Sequence, residues 1–279
     1  MTDKYAVIGH PITHSKSPQI HKLFAQQTGE SLDYVAIDAP LDRFSETVER
    51  LRREGYRGCN VTVPFKFDAY KLIKQLESLA PALGICNKSA ANAKAANTLT
   101  FRNNFVSGDN TDGTGLVNDI QQNLRIPLKG KRILLMGAGG AAYGVLQPLL
   151  HQHPESLAIA NRTLEKADAL LKLHVPCPET ALSSSTYADI DRQFDVIINA
   201  TSSGLTNEMP QLPPGIFAEG ALAYDMMYGR ETPFLKFARE QNTPLISDGL
   251  GMLVEQAAEA FYIWRGVRPR TAPVIASLR

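Results

Sequence analysis

Cys59, Val61 and Val63 alternate with Asn60 and Thr62, the period-two pattern of a strand with one buried face. Pro64 stops the alternation because it has no N–H to give a ladder. From Phe65 the apolar positions (Phe67, Tyr70, Leu72, Ile73, Leu76) take helical spacing. Two similar pairs precede this junction. Tyr5 to Gly9 reads as a strand, followed by a helix from Ser17 whose apolar face is Ile20, Leu23 and Phe24 and which Gly29 ends. Tyr34 to Ile37 is a second strand, and Phe44 to Glu54 a charged amphipathic helix closed by Gly55. This β-α-β-α-β-α order implies parallel strands covered by helices. Residues 78–95 have no clean period and read as a surface loop or short helix. Asn97 to Phe101 turns through Arg102-Asn103-Asn104 into Phe105 to Ser107, a hairpin signal. Gly108 to Gly113 is dense in turn formers and leads to a helix carrying Leu116, Val117 and Ile120.

A second α/β unit begins at Lys131. Its strands are Arg132 to Met136, Leu157 to Ala160, Phe194 to Ala200, Ala221 to Tyr228 and Pro244 to Ser247. Tyr143 to Leu150 reads as a helix, as does the long stretch from Gly249 through Gln256, Ala260 and Trp264, with a last short helix over Ala272 to Leu278. Length agrees, since 279 residues suit two domains with separate cores. Composition removes whole classes. Twenty-nine basic residues nearly cancel twenty-eight acidic ones, so neither nucleic acid nor an anionic membrane is indicated as partner. There is no apolar run near the ~18 residues of a membrane-spanning helix, and Met1-Thr2-Asp3-Lys4 runs straight into a strand with no signal peptide. Cys59, Cys86 and Cys177 form no CxxC pattern and suit buried thiols in a reducing compartment. The pairs His10/His14 and His151/His153 lack a third ligand, so no metal is expected. A cytoplasmic protein is the expectation.

Candidate chemistry sits at strand ends. Lys66 falls at a strand-to-helix junction, where the helix dipole disfavours a cation and so favours proton donation. Ser17 before Pro18 reads as an N-cap, but Ser15 has no such structural reason, and two hydroxyls beside a helix N-terminus also suit a carboxylate. Asp112 either caps its helix or does chemistry. Gly137-Ala138-Gly139-Gly140-Ala141 stands between a strand and a helix, the context a dinucleotide-binding turn requires, with glycines admitting the pyrophosphate to the helix N-terminus. An NAD enzyme usually puts an acid some twenty residues on, at the ribose. Here stand Asn161, Arg162 and Thr163, with Lys166 one turn later, a corner suited to the 2′-phosphate of NADP(H). A solvated Arg162 is the alternative. Thr201-Ser202-Ser203-Gly204 and Met226 lie at the C-terminal ends of two strands, where open α/β sheets bind ligands, although a methionine is more often packing.

Taken in order, Ser15 to Pro18, Asn60 to Lys66, Ala96-Asn97-Thr98, Gly108 to Gly113, Gly137 to Ala141, Asn161 to Thr163, Asn199 to Gly204, Asp225 to Tyr228 and Gly249 to Ala257 resemble shikimate dehydrogenase over nearly the whole chain. The pairing of NVTVPFK with GDNTDG is specific to that family and its close paralogues. The resemblance implies NADPH-dependent reduction of 3-dehydroshikimate to shikimate, a step of aromatic amino-acid biosynthesis. It implies an N-terminal α/β substrate domain with a mainly parallel sheet (1–111, completed by helices of 249–279) and a Rossmann-type NADP-binding domain (112–248). It assigns the substrate carboxylate to Ser15 and Ser17 with Tyr228, and the substrate hydroxyls to Asn60, Thr62, Asn97 and Gln256. The catalytic pair is Lys66 and Asp112. NADP contacts fall on Gly137, Ala138, Gly139, Gly140, Ala141, Asn161, Arg162, Thr163, Lys166, Thr201, Met226 and Gly249. The stretch between the Lys66 helix and Asn97 is longer than usual for the family and receives no site residue, and Ala96 replaces the usual valine. In this scheme Lys66 donates the proton to the developing alkoxide, while Asp112 orients Lys66 and accepts from a ring hydroxyl. The small molecule is the expected partner, and a homodimer is a possible assembly. Two rivals stay open: a quinate/shikimate paralogue using NAD or both cofactors, and a dinucleotide-binding regulator without catalysis.

Overall fold

The computed structural model describes residues 2–173, 178–201 and 208–279. They form two compact units, one made of the chain up to Gly115 together with Val254–Arg279, the other of Leu116–Leu253.

The first unit opens with β1 (Asp3–Gly9), α1 (Ser17–Thr28), β2 (Leu32–Asp38), α2 (Phe44–Arg53), β3 (Tyr56–Val61) and α3 (Lys66–Leu79). It continues with β4 (Gly84–Cys86), α4 (Lys88–Ala93), β5 (Thr98–Arg102), β6 (Phe105–Asp109) and α5 (Asp112–Asn118). Its sheet runs β2-β1-β3-β5-β6-β4. β1 pairs parallel with β2 and β3, and β4 parallel with β6, whereas β5 is antiparallel to both β3 and β6. The β5–β6 hairpin turns at Asn103, whose φ of 54° suits a tight two-residue loop. Residues 78–95, read from sequence as a loop or short helix, hold both β4 and α4. A strand of three residues and a helix of six are too short to print a period.

One face of this sheet is an aliphatic and aromatic core of Ile8, Phe44, Leu51, Val61, Phe65, Ile73 and Leu99. The pairing places Asn60 opposite Thr98, and Thr98 opposite Asp109, so three strands bring their polar residues to one end of the sheet.

The second unit continues α5 through a π-helical turn, Asp119–Asn123, into β7 (Arg132–Met136), α6 (Gly140–Leu150), β8 (Ser156–Ala160) and α7 (Leu164–Lys172). β9 (Ala181–Ser185), β10 (Phe194–Asn199), β11 (Phe217–Asp225), α8 (Pro233–Glu240) and β12 (Leu245–Ser247) complete it. The order β12-β11-β10-β7-β8-β9 is parallel throughout. Counted from β7 this is 6-5-4-1-2-3, the dinucleotide-binding arrangement whose crevice opens between the first and fourth strands. Both faces are packed, one around Ile133, Leu146 and Ile198, the other around Leu134, Phe194 and Phe234.

The last elements are α9 (Leu250–Arg265) and α10 (Ala272–Leu278). The part of α9 from Val254 onward belongs to the first unit. There the Trp264 ring stacks on Tyr5 at 4.6 Å and its Nε1 donates to the Leu99 carbonyl at 3.2 Å. A Cβ on Gly58 would lie 2.7 Å from that Nε1, so the indole requires glycine beneath it. Arg265, 17 % exposed, ties the helix end to Asp3 of β1 and to Glu30. Among the described residues no helix is long and apolar enough to cross a membrane.

Candidate active site

At the polar end of the first sheet, α3 begins at Lys66 and α5 at Asp112. Lys66 Nζ donates to Asp112 Oδ2 at 2.6 Å, with the two side chains 16 % and 6 % exposed. Asn97 Nδ2 donates to Asp112 Oδ1 at 2.8 Å, so each carboxylate oxygen is held by a different donor. Asn110 Oδ1 accepts the Asp112 N–H at 3.1 Å. The neighbour two residues back thus takes the turn-forming role, and the Asp112 carboxylate is left for Lys66 and Asn97. Asn97 is itself locked. Its Oδ1 accepts the Thr111 N–H at 2.8 Å and the Thr98 hydroxyl at 2.9 Å, and its Nδ2 also approaches Gln256 Oε1 at 3.4 Å.

Asn60 joins the same network. Its Nδ2 donates to the Asn97 carbonyl at 3.2 Å and to Thr98 Oγ1 at 3.1 Å, and its Oδ1 accepts from the Tyr34 hydroxyl at 2.7 Å. Thr62 lies just past the end of β3, half-buried. Ser17 departs from the N-cap reading. It is the first residue of α1, the cap position falls on Lys16, and no side chain caps the helix. Pro18 in the first turn removes one donor that a cap would have served, and the Ser17 side chain is buried. Ser15 Oγ accepts the Ser17 N–H at 3.3 Å. Seven of the expected residues (Ser15, Ser17, Asn60, Thr62, Lys66, Asn97 and Asp112), with Gln256, therefore belong to the first unit, and Tyr228 to the second. The sequence pattern passed over Tyr34, Thr98, Asn110 and Thr111. A buried polar residue on an otherwise apolar strand was the available signal, as Thr98 at 0 % exposure illustrates.

In the second unit Gly137 has φ of 99°, and a Cβ there would stand 3.3 Å from the Ala200 carbonyl. Gly139 is exposed at the N-cap of α6, no side chain caps that helix, and a Cβ on it would meet nothing within 4 Å. Free N–H groups at an uncovered helix start fit a pyrophosphate. Ala138, Gly140 and Ala141 flank this opening half-buried. After β8, Asn161 Nδ2 donates to the Thr163 carbonyl at 2.8 Å, while Arg162 and Lys166 are exposed at the start of α7. That end carries two cations, and the Thr163 hydroxyl does not cap it.

Across the crevice, Thr201 N and Oγ1 both donate to Asn199 Oδ1, at 3.1 and 2.7 Å. Asn199 Nδ2 donates to Asp225 Oδ2 at 3.0 Å, and the Met227 N–H reaches Asp225 Oδ1 at 2.9 Å. Burial pushes the Asp225 carboxyl up, against hydrogen bonds from Thr232, Met227 and Asn199. Met226 is half-buried at the end of β11. Gly249 is buried, and a Cβ there would come within 2.2 Å of the Met226 carbonyl oxygen, so close backbone packing explains the glycine. Ser202, Ser203 and Gly204 lie outside the described residues, as does Cys177.

Comparison with known proteins decides the family. Residues 7–89 match the family described as shikimate dehydrogenase substrate binding domain, 119–207 that of shikimate/quinate 5-dehydrogenase, and 249–279 the shikimate 5′-dehydrogenase C-terminal domain. The chain belongs to the shikimate dehydrogenase family. The shikimate dehydrogenase (NADP(+)) of Methylobacillus flagellatus is 60 % identical over 99 % of both chains. Among solved structures, an Ael1 enzyme from Pseudomonas putida is 46 % identical with TM-score 0.88, over 99 % of this chain and 98 % of that one. Shikimate 5-dehydrogenase from Thermus thermophilus, solved with NADP(H) and shikimate, is 30 % identical with TM-score 0.84 over the same shares. Membership agrees with an α/β substrate domain joined to a Rossmann-type unit.

Proposed function

We propose that the protein is an NADP-dependent shikimate dehydrogenase, reversibly reducing 3-dehydroshikimate to shikimate in aromatic amino-acid biosynthesis. The observation that carries the reading is the Lys66–Asp112 pair at 2.6 Å, backed by Asn97 at 2.8 Å. NADPH supplies the hydride when bound. Lys66, oriented by the adjacent carboxylate, donates a proton to the oxygen of the reduced ketone and takes one back from solvent. Only one of its three N–H bonds is directed to Asp112, and among the described residues its Nζ has no other protein partner. The Asp112 oxygens each keep a lone pair for a ring hydroxyl. Ser15, Ser17 and Tyr228 take the carboxylate, and Asn60, Thr62, Asn97 and Gln256 the hydroxyls. The Gly137–Ala141 turn, Thr201, Met226 and Gly249 hold the pyrophosphate and nicotinamide end, and Asn161, Arg162, Thr163 and Lys166 the 2′-phosphate.

The name of the 60 %-identical relative supports the cofactor and the substrate. The reading places the enzyme in the cytoplasm, acting on its small molecule alone or as a homodimer, which size-exclusion chromatography distinguishes. Steady-state oxidation of shikimate and of quinate, each with NADP⁺ and NAD⁺, tests it through four kcat/KM values. The highest is expected for shikimate with NADP⁺. A preference for quinate or for NAD⁺ would point to the paralogous activity, and no turnover in any pair would sink the enzyme reading.

A further inference from the structure

Tyr34 lies in β2, and β1 separates it from Asn60 in β3. Its hydroxyl nevertheless reaches Asn60 Oδ1 at 2.7 Å, a buried bond between residues 26 apart in sequence. The ring is held face-on by His21 of α1, with centroids 4.1 Å apart and planes 6° apart. His21 is fully buried, it also approaches the Asn60 side chain, and Phe24, Phe261 and Trp264 surround its other sides. It acts as a flat plate behind the phenol. The Ser17 hydroxyl faces the same Tyr34 oxygen.

These contacts fix polarity. The Asn97 carbonyl can only accept, so it holds the Asn60 Nδ2 side and turns Oδ1 toward Tyr34. The phenol must then donate, and its oxygen is left to accept from Ser17. Both Asn60 amide hydrogens are used, on the Asn97 carbonyl and Thr98 Oγ1, so the amide meets any further partner through Oδ1, as an acceptor.

We propose that Tyr34, backed by His21, is a positioning residue that sets Asn60 and Ser17 for the substrate, presenting Asn60 as a hydrogen-bond acceptor to a ring hydroxyl. This rests on the assignment of Asn60 and Ser17 to substrate binding made above. The phenol itself acts on substrate only through those two residues.

Tyr34→Phe keeps the ring and its stack on His21 and removes the hydroxyl alone. In steady-state shikimate oxidation with NADP⁺, KM for shikimate is expected to rise about tenfold, the scale of one lost hydrogen bond. The values of kcat and of KM for NADP⁺ should stay within twofold of wild type. In an Asn60→Ser background the same change should raise KM for shikimate no further, because its main intermediary is gone. An unchanged KM, or effects that multiply in the double variant, would overturn the proposal. So would a parallel fall in kcat and in affinity for both substrates, which is what a merely structural residue gives. If Tyr34→Phe is insoluble, His21→Leu, which removes the plate and leaves the hydroxyl, should raise KM for shikimate with kcat held, and an unchanged KM would count equally against the idea. A wild-type protein that fails to oxidise shikimate would refute the functional reading itself, and is distinguishable from a working enzyme indifferent to Tyr34.

Discussion

Lys66 is one of twenty-nine basic residues, and its surroundings set it apart. It is paired at 2.6 Å with a carboxylate that Asn97 holds from the other side. General acid–base catalysis contributes about 10²–10⁴-fold, so Lys66→Ala should lower kcat by that range while KM for NADPH hardly moves. Near-full kcat in that variant would remove the proton-donor role. Arg162 makes the complementary case. It is exposed on an uncapped helix start with Glu165 and Lys166 in the turn that follows, so a phosphate can reach it from solution. Losing a charged hydrogen bond costs about 1.5–3 kcal/mol. Arg162→Ala should therefore raise KM for NADPH by at least tenfold and leave KM for NADH almost unaltered, and equal effects on the two cofactors would refute the 2′-phosphate contact.

Elements carry the site by where they end. Gly249 shows how little slack those ends have, since a Cβ at 2.2 Å from a backbone oxygen cannot be relieved by rotating a side chain. Gly249→Ala should lower the melting temperature and weaken NADPH binding together, as read by thermal unfolding and by fluorescence titration of NADPH. A variant as stable as wild type would contradict the packing. The same ends explain which features were legible in the sequence. The glycine turn at 137–141 announced itself because a strand precedes it and a helix follows, all within twenty residues. β4 went unread, and α4 entered only as one of two alternatives, because neither is long enough to show a period. The antiparallel insertion of β5 beside β3 was also hidden, since strand order depends on pairings remote in sequence. Asn60, Asn97 and Asp112 could be named, whereas Tyr34 could not, because its bond to Asn60 crosses an intervening strand. The Ser-Pro pair left Ser17 open between a cap and a carboxylate ligand, and one residue of register removes the cap.

At the scale of the molecule, each unit has its own core and its own burdens. In the first unit, burial lowers the His21 imidazole from 6.5 to about 3. Between those values the unfolded chain carries a proton that the folded one refuses, so stability rises with pH and is lost as pH falls through the window. The slope attributable to one group is at most about 1.4 kcal/mol per pH unit. His21→Phe, which keeps a flat ring and cannot titrate, should lose less stability than wild type when urea unfolding at pH 6.5 is compared with pH 4.5. Equal losses in the two proteins would mean that some other group sets the acid sensitivity.

The first unit is also discontinuous, because Val254–Arg279 complete it. A ribosome makes the chain in one direction, so the second unit has all its strands before the first has its last helix. Until Phe261, Trp264 and Arg265 emerge, Tyr5, His21 and the acids Asp3 and Glu30 lack the contacts those three residues supply. The part of the protein synthesised first is thus the last to be finished. A nascent chain paused near residue 250 should yield a protease-resistant fragment from its second half and none from its first.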